Sequence, residues 1–194
     1  MTTLDSMRHA ARIFAGAALL VASGCASTLV TQDHVHHAGV LSKFTYAAAD
    51  RDMTTVIIGN PFDTEKATVE STITDAMQGN HHGPPTNFTT RPSENARPLF
   101  RVVMMFDPPP TMNSSRLCLE PGAPDPATAS RDRLVLLTAF CAGDELQSEV
   151  YAATPRVRSV DSSWIRRMIA STMWQLIPRK DPFADSNCPL PNCT

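Results

Sequence analysis

One cysteine near the start of the chain lies in a stretch whose residue types could carry chemistry. Cys25 follows Ala22, Ser23 and Gly24, and an apolar run over residues 13–22 leads into them. A thiolate is the side-chain group nucleophilic enough to take a lipid as a thioether. Small residues ahead of it let an extended backbone enter the narrow cleft of a peptidase. The stretch therefore has the residue types that a cleavage site and a thioether bond require.

Residues 1–24 have the three-part layout of a secretory signal. Arg8, His9 and Arg12 provide a basic start, the apolar run follows, and small residues end it. The apolar run is too short for a membrane-spanning helix, which needs about 20 apolar residues. The alternatives are an ordinary signal that is cut elsewhere, for instance after Ala26, and an uncleaved membrane anchor.

Residues 22–25 resemble the lipobox of bacterial lipoproteins, with Ala22 where leucine is usual. The resemblance implies that Cys25 is lipidated, that the chain is cleaved before it, and that the mature protein is anchored to a membrane by its first residue. In related lipoproteins of two-membrane bacteria, an aspartate after the cysteine commonly retains the protein at the inner membrane. Ala26 stands at that position here, so the expected location is the periplasmic face of the outer membrane.

The remaining cysteines predict a disulfide framework. Once Cys25 is set aside for lipid, four cysteines remain, and an even number in an exported chain predicts two disulfides. Cys188 and Cys193 could close a small local loop, which would leave Cys118 and Cys141 to link two segments of the core. We favour this pairing over the two others that four cysteines allow. A zinc site is the rival interpretation, but a single C-x4-C spacing lacks the second half of such a site.

Histidine is the second residue type here with ligand chemistry. His34, His36 and His37 fall within residues 25–41, which show no sustained period and predict a flexible tether. Three imidazoles this close together could bind a metal. A tether seldom preorganises a site, however, and beyond Asp33 no carboxylate stands nearby to orient the rings. We therefore expect solvated histidines and neither a metal nor another cofactor.

A long polar stretch over residues 78–97 contains the candidate binding residues. Loops of this length are uncommon in compact domains and are usually functional or disordered. The residues chosen are His81, His82, Phe88 and Arg91. His81 and His82 are adjacent and would point to opposite sides of an extended chain, while Phe88 could pin the loop to the core. A plain surface loop without a binding role is the alternative.

Composition excludes one class of partner and limits the size of the core. The formal net charge is −2, so the chain lacks the clustered basic surface that nucleic-acid binding requires. The 16 prolines and the 6% of aromatic residues indicate long irregular connections around a modest core. We expect a single domain over residues 42–178 and a proline-rich tail over residues 179–194.

Apolar or alternating patterns predict five main strands and one short strand. The main strands are expected over residues 43–49, 53–58, 98–106, 134–142 and 146–153, and the short strand over residues 115–120. The strands over residues 43–49 and 53–58 are expected to form a hairpin. The segment over residues 98–106 is apolar on both faces, which indicates a central strand.

Two amphipathic segments predict helices. The first begins within the turn at residues 59–64 and ends at Gly79, and the second is capped by residues 161–163 and ends before Pro178. The expected fold is α+β, a mainly antiparallel sheet of about five strands with two helices packed on one face. In general layout, and in residues 60–62 and 83–86, the chain resembles small envelope lipoproteins.

The motif search favours binding over catalysis. The sequence contains no G-x-S-x-G nucleophile elbow, no H-E-x-x-H helix and no evident pair of carboxylates bracketing a cleft. We therefore expect a lipid-anchored, non-catalytic envelope protein that binds another protein or a cell-wall component. A small-ligand or metal carrier that uses His81 and His82 is the alternative. A hydrolase whose triad is assembled from distant residues is the third hypothesis.

Overall fold

Strands and helices are distributed along the whole of the described chain. The computed structural model describes residues 29–120, 130 and 132–183. The strands are β1 (Leu29–Val35), β2 (Asp52–Ile58), β3 (Asn87–Thr89), β4 (Phe100–Phe106), β5 (Arg133–Ala142) and β6 (Glu145–Pro155). The helices are α1 (Val40–Ala48), α2 (Lys66–Met77), α3 (Ser114–Leu119) and α4 (Ser163–Leu176). The predicted α+β class is confirmed.

The six strands form one mixed sheet in the order β1-β6-β5-β4-β2-β3. The pairs from β1 through β6 and β5 to β4 are antiparallel, whereas β2 pairs in parallel with both β4 and β3. Because α2 carries the chain back along the sheet after β2, β3 runs parallel to β2. The segment over residues 90–99 returns the chain once more, so β4 is also parallel to β2. The expectation of about five mainly antiparallel strands is thus wrong in strand number and in the pairing of β2.

The two faces of the sheet carry separate apolar clusters. Alternate residues of β5 belong to different clusters, because successive side chains of a strand point to opposite faces. Leu134, Leu136 and Phe140 pack with the apolar sides of α1, α2 and α4, whereas Leu137 and Ala139 pack with α3. Among the described helices, three therefore cover one face and α3 covers part of the other. The two predicted helices, α2 and α4, do pack on one face, but the predicted number is wrong, because α1 joins them there and α3 lies on the other face.

The segment predicted as a strand over residues 43–49 belongs to helix α1. Phe44, Tyr46 and Ala48 alternate with more polar residues, which imitates a strand. The buried residues Val40, Phe44, Ala47 and Ala48 instead recur at i, i+4, i+7 and i+8, the spacing of one helix face. Since this segment is helical, the hairpin predicted with residues 53–58 does not form.

The predicted tether is wrong from Leu29 onward, because the chain there adds an edge strand to the sheet. β1 pairs antiparallel with β6, with Leu29 opposite Ala153 and Val35 opposite Ser148. The short strand predicted over residues 115–120 is also wrong. The side chain of Asn113 accepts the backbone N–H of Arg116 and begins helix α3 there.

Other predicted elements are confirmed with small changes in their ends. Strands β2, β4 and β5 lie where apolar runs predicted them, β6 lies where an alternating pattern predicted it, and β4 is central. Helix α4 begins at the predicted cap, where the Ser162 side chain accepts the backbone N–H of Trp164. Of the predicted tail, the described part includes Asp181, whose carboxylate accepts the backbone N–H of Gly39. Cys25, Cys188 and Cys193 lie outside the described residues.

Candidate binding cleft

The polar loop chosen from the sequence is folded onto the core. Phe88 is 1% exposed and His81 is 8% exposed. The rings of both residues pack on Phe44, with the His81 and Phe44 centroids 5.1 Å apart. The Gln78 side-chain amide donates to the Phe88 carbonyl and its oxygen accepts the Phe88 N–H, which fixes the backbone of β3. The prediction that Phe88 pins the loop to the core is confirmed.

The other two candidates in the loop point elsewhere. The His82 ring packs edge-on against Trp174 of α4, with centroids 4.7 Å apart. Arg91 is exposed, and its backbone N–H donates to the Thr89 hydroxyl. The structure therefore brings His81 and Phe88 together in the core and does not combine all four residues in one accessible surface. A binding role for this loop stays a prediction.

Burial of His81 leads to a testable pH dependence. Burial lowers the pKa of His81 below 6.5, a bond to the His82 carbonyl opposes this shift, and the adjacent His82 charge adds to it. The unfolded chain therefore takes up a proton near pH 6.5 while the folded protein does not. We expect the free energy of unfolding to fall as pH drops from about 6.5 to the lowered folded-state pKa, and to level off below it.

The variant His81→Leu tests this expectation, because its side chain does not titrate. Urea unfolding of both proteins across this pH range should show a steeper loss of stability in the wild type. Equal slopes in the two proteins would contradict the expectation.

A cleft of about 570 Å³ lies on the opposite face of the sheet, where β5, β6 and β1 extend beyond α3. Val135 and Leu137 of β5 and Tyr151 of β6 contribute to its lining, together with Met112 from the segment before α3. Leu137, Met112 and Tyr151 also pack with the cluster on this face. The cleft is therefore an extension of the second apolar cluster toward solvent.

Two histidines of the predicted tether line this cleft. His34 and His36 are two residues apart on β1, so their side chains share a face of the sheet. Their ring centroids are 4.7 Å apart, and His36 Nε2 lies 3.1 Å from Glu149 Oε1 on β6. His34, His36 and His37 are exposed, as expected, but the prediction of a flexible tether did not foresee that His34 and His36 line a cleft. The i, i+2 spacing would have predicted a shared face once β1 was recognised as a strand.

Asp107 forms the end of the cleft where β4 stops. It has φ 47°, a left-handed conformation that Asp tolerates better than most residues. Its carboxylate is 2.6 Å from an Arg156 guanidinium nitrogen and also accepts the Val135 N–H. Pro108, Pro109 and Pro110 follow directly and form a rigid wall. Position 107 thus combines an unusual backbone conformation with a largely buried ion pair.

We expect Asp107→Asn to lower the free energy of unfolding by about 1–3 kcal/mol, the contribution of a charge-assisted hydrogen bond. Asparagine tolerates the same backbone conformation, so the loss reports the charge that faces Arg156. The exposed Asp132→Asn is the matched control and should change stability by less than about 0.5 kcal/mol. Denaturant unfolding of the three proteins checks this, and equal effects of both variants would contradict it.

A disulfide holds the remaining wall of the cleft in place. Cys118 of α3 and Cys141 of β5 are bonded, with Cα atoms 5.6 Å apart, as the sequence predicted. The Arg101 guanidinium donates to the Cys118 carbonyl. Asn113 and Ser114, at the start of α3, line the cleft on this side. The bond therefore fixes α3, whose start lines the cleft, on the second face of the sheet.

The described residues show neither a metal site nor a membrane-spanning helix. No three His, Cys, Asp or Glu side chains within the described ranges are placed to hold a metal ion. Within the same ranges, no helix has both the length and the apolar character needed to cross a bilayer.

Comparisons with known proteins identify solved structures that are partly similar to this chain. No protein-family profile and no curated protein matches the chain. Two structures of PelC dodecamers from Paraburkholderia phytofirmans are similar to it. A point variant of PelC is 13% identical with a TM-score of 0.43, covering 79% of this chain and 100% of the PelC chain. The second is 12% identical with a TM-score of 0.41, covering 77% and 99% of the two chains.

Proposed function

We propose that this chain is a lipid-anchored, non-catalytic protein of the bacterial cell envelope that binds another envelope protein or a cell-wall component. The resemblance of residues 22–25 to a lipobox supports lipidation of Cys25, and Ala26 supports the periplasmic face of the outer membrane. The cleft between β1, β6, β5 and the start of α3 is the observation that supports a binding role.

The composition of the cleft suits recognition of a partner surface. Apolar side chains such as Leu137 and Met112 provide contact area, and a few polar groups around them can select the partner. The Pro108–110 wall and the disulfide-bound α3 limit how far the cleft can deform. A cleft that is already shaped loses little conformational entropy on binding.

The polar side chains of the cleft are bonded to its own walls. The Asp107 carboxylate is occupied by Arg156 and by the Val135 N–H. The Glu149 carboxylate contacts His36, and the Asn113 side chain caps α3. These contacts hold the strands and the helix in place.

A small-molecule carrier is the second candidate, because one observation favours it. The cleft volume of about 570 Å³ falls within the range of about 300–1,000 Å³ that is typical of small-ligand sites. Its apolar lining with a few convergent polar groups also matches such sites. A carrier would retain a ligand through purification in mild detergent, and native mass spectrometry would detect it.

Site-specific photo-cross-linking in cells tests the proposed partner. A photoreactive phenylalanine at Met112, which lines the cleft, should capture a discrete macromolecule. The same residue at Asp75, exposed on α2 and on the other face of the sheet, is the matched control and should not. Identical adducts at both positions, or none at position 112 in a correctly folded and localised protein, would contradict a macromolecular partner in the cleft.

A further inference from the structure

We propose that one end of the domain rests on the membrane, where its exposed arginines contact the phosphates of anionic phospholipids. We call it the anchor end and define it by Leu29 at the start of β1, Pro155 at the end of β6, Arg133 at the start of β5 and Ser163 at the start of α4. This inference rests on the proposed lipidation of Cys25, and it adds an orientation and a lipid contact.

The length of chain between the anchor and the fold places this end at the membrane. Three residues, 26–28, separate Cys25 from Leu29, the first residue of β1. Whatever their conformation, these four steps along the chain span at most about 14 Å. A lipid inserted through Cys25 therefore holds the start of β1 close to the headgroups.

The sheet register determines which other segments share this end. Leu29 lies opposite Ala153 near the end of β6, and Pro155 lies opposite Arg133 at the start of β5. Helix α4 follows β6 and runs away from this end, because the Leu176 carbonyl accepts the hydroxyl of Ser148, which pairs with the far end of β1. The start of α4 therefore lies at the anchor end.

Four of the seven exposed arginines in the described part of the chain lie at the anchor end. Arg133, Arg166 and Arg167 are exposed, and Arg158 is 90% exposed in its side chain. Arg166 donates to the Asp161 carbonyl and Arg167 to the Ser163 carbonyl, so both side chains bend back toward the start of α4. Each guanidinium has five N–H donors, so donors remain for a phosphate.

Acidic residues at the anchor end weaken any long-range electrostatic attraction between this end and an anionic membrane. Asp63, Asp132 and Asp161 are exposed here, and Asp63 lies 4.0 Å from Arg158. The net charge of this end is therefore small, and a long-range field contributes little. The contact must come from forked guanidinium–phosphate hydrogen bonds, whose geometry suits arginine better than lysine.

Vesicle reconstitution of the full lipidated protein tests this inference. A fluorophore is attached through Ser159→Cys at the anchor end, or through Asp144→Cys in the β5–β6 turn. The two labels are separated by roughly the length of β5, about 30 Å. The vesicles contain phosphatidylglycerol or only phosphatidylcholine, each with a headgroup-nitroxide lipid as quencher. Flotation with the vesicles reports the lipid anchor separately from the orientation.

On phosphatidylglycerol vesicles we expect quenching of the label at position 159 and none at position 144. The triple variant Arg133→Gln/Arg166→Gln/Arg167→Gln should float equally well and unfold at the same urea concentration, but show weaker quenching at position 159. The lipid still holds the start of β1 near the headgroups, while fewer arginine–phosphate contacts hold this end against them. In protein that retains all its arginines, added salt should weaken the quenching at position 159, since the arginine–phosphate contacts are solvent-exposed.

Each other outcome contradicts a separate claim. Equal quenching at both positions with normal flotation overturns the orientation and leaves the proposed anchoring intact. Quenching at position 159 that is unaffected by the triple variant and by lipid charge overturns the arginine–phosphate contact. Protein that does not float overturns the lipid anchor, and with it the proposed function.

Discussion

Replacing Phe44 with alanine is expected to lower the free energy of unfolding by about 3–5 kcal/mol, the usual cost of removing a buried phenylalanine ring. Phe44 is fully buried, and its ring contacts Phe88 of β3, Phe140 of β5 and the His81 ring. It joins α1, the loop over residues 78–97 and the sheet. A cavity at this position therefore removes contacts from three parts of the fold at once.

Urea unfolding followed by circular dichroism measures this effect, and Thr45→Ala is the matched control. Thr45 is the next residue of α1 and is exposed, so its truncation should cost less than about 0.5 kcal/mol. If Phe44→Ala were as stable as Thr45→Ala, residues 40–48 would not be a helix that buries this ring.

Loss of the Cys118–Cys141 disulfide is expected to cost about 3 kcal/mol in the double variant Cys118→Ala/Cys141→Ala. The bond closes a loop with a sequence separation of 23, and a loop of about this length gives about 3 kcal/mol in the chain-entropy account. Because the bond holds α3 over the second apolar cluster, its loss should also widen the cleft.

Reductant provides the control for this variant. Reduction of the wild type should bring its unfolding midpoint down toward that of the double variant. Any further effect of reductant on the double variant would report the bond predicted between Cys188 and Cys193. A double variant as stable as the oxidised wild type would contradict a stabilising role for the bond.

Elements defined by long apolar runs could be predicted from the sequence. Strands β4 and β5 are apolar on both faces because helices pack on both sides of the sheet, and short apolar runs between turn residues are typical of such buried strands. Helix α4 shows a clear stripe and a serine cap. The Cys118–Cys141 pair was also predicted, because the short spacing between Cys188 and Cys193 favoured a local loop and left these two cysteines to pair.

Elements stabilised by distant partners could not be predicted in this way. β1 mixes polar and apolar residues without a sustained pattern, and it pairs with β6, far along the chain. In α1, Phe44 and Ala48 are compatible with both a strand alternation and a helical stripe, and the packing of Phe44 on Phe88 and Phe140 decides between them. The local sequence pattern reveals neither the pairing of β1 with β6 nor the packing of Phe44.

The cleft could not be predicted from the sequence either, because its residues are distant from one another along the chain. His34 comes from β1, Asp107 from the end of β4, Leu137 from β5 and Glu149 from β6, and they become neighbours through the strand order. The loop that contains His81 and Phe88 was predicted to bind a partner because it is long and polar. Its buried aromatic contacts instead explain why a segment of this length can be ordered.

The intact mass of the mature protein, extracted from membranes without reductant, tests the central claim most directly. The account predicts a chain that begins at Cys25, carries a diacylglyceryl group and a further acyl chain, and is lighter by two hydrogens for each disulfide. A mass that retains residues 1–24, or that starts at Cys25 without lipid, would contradict a lipid-anchored envelope protein.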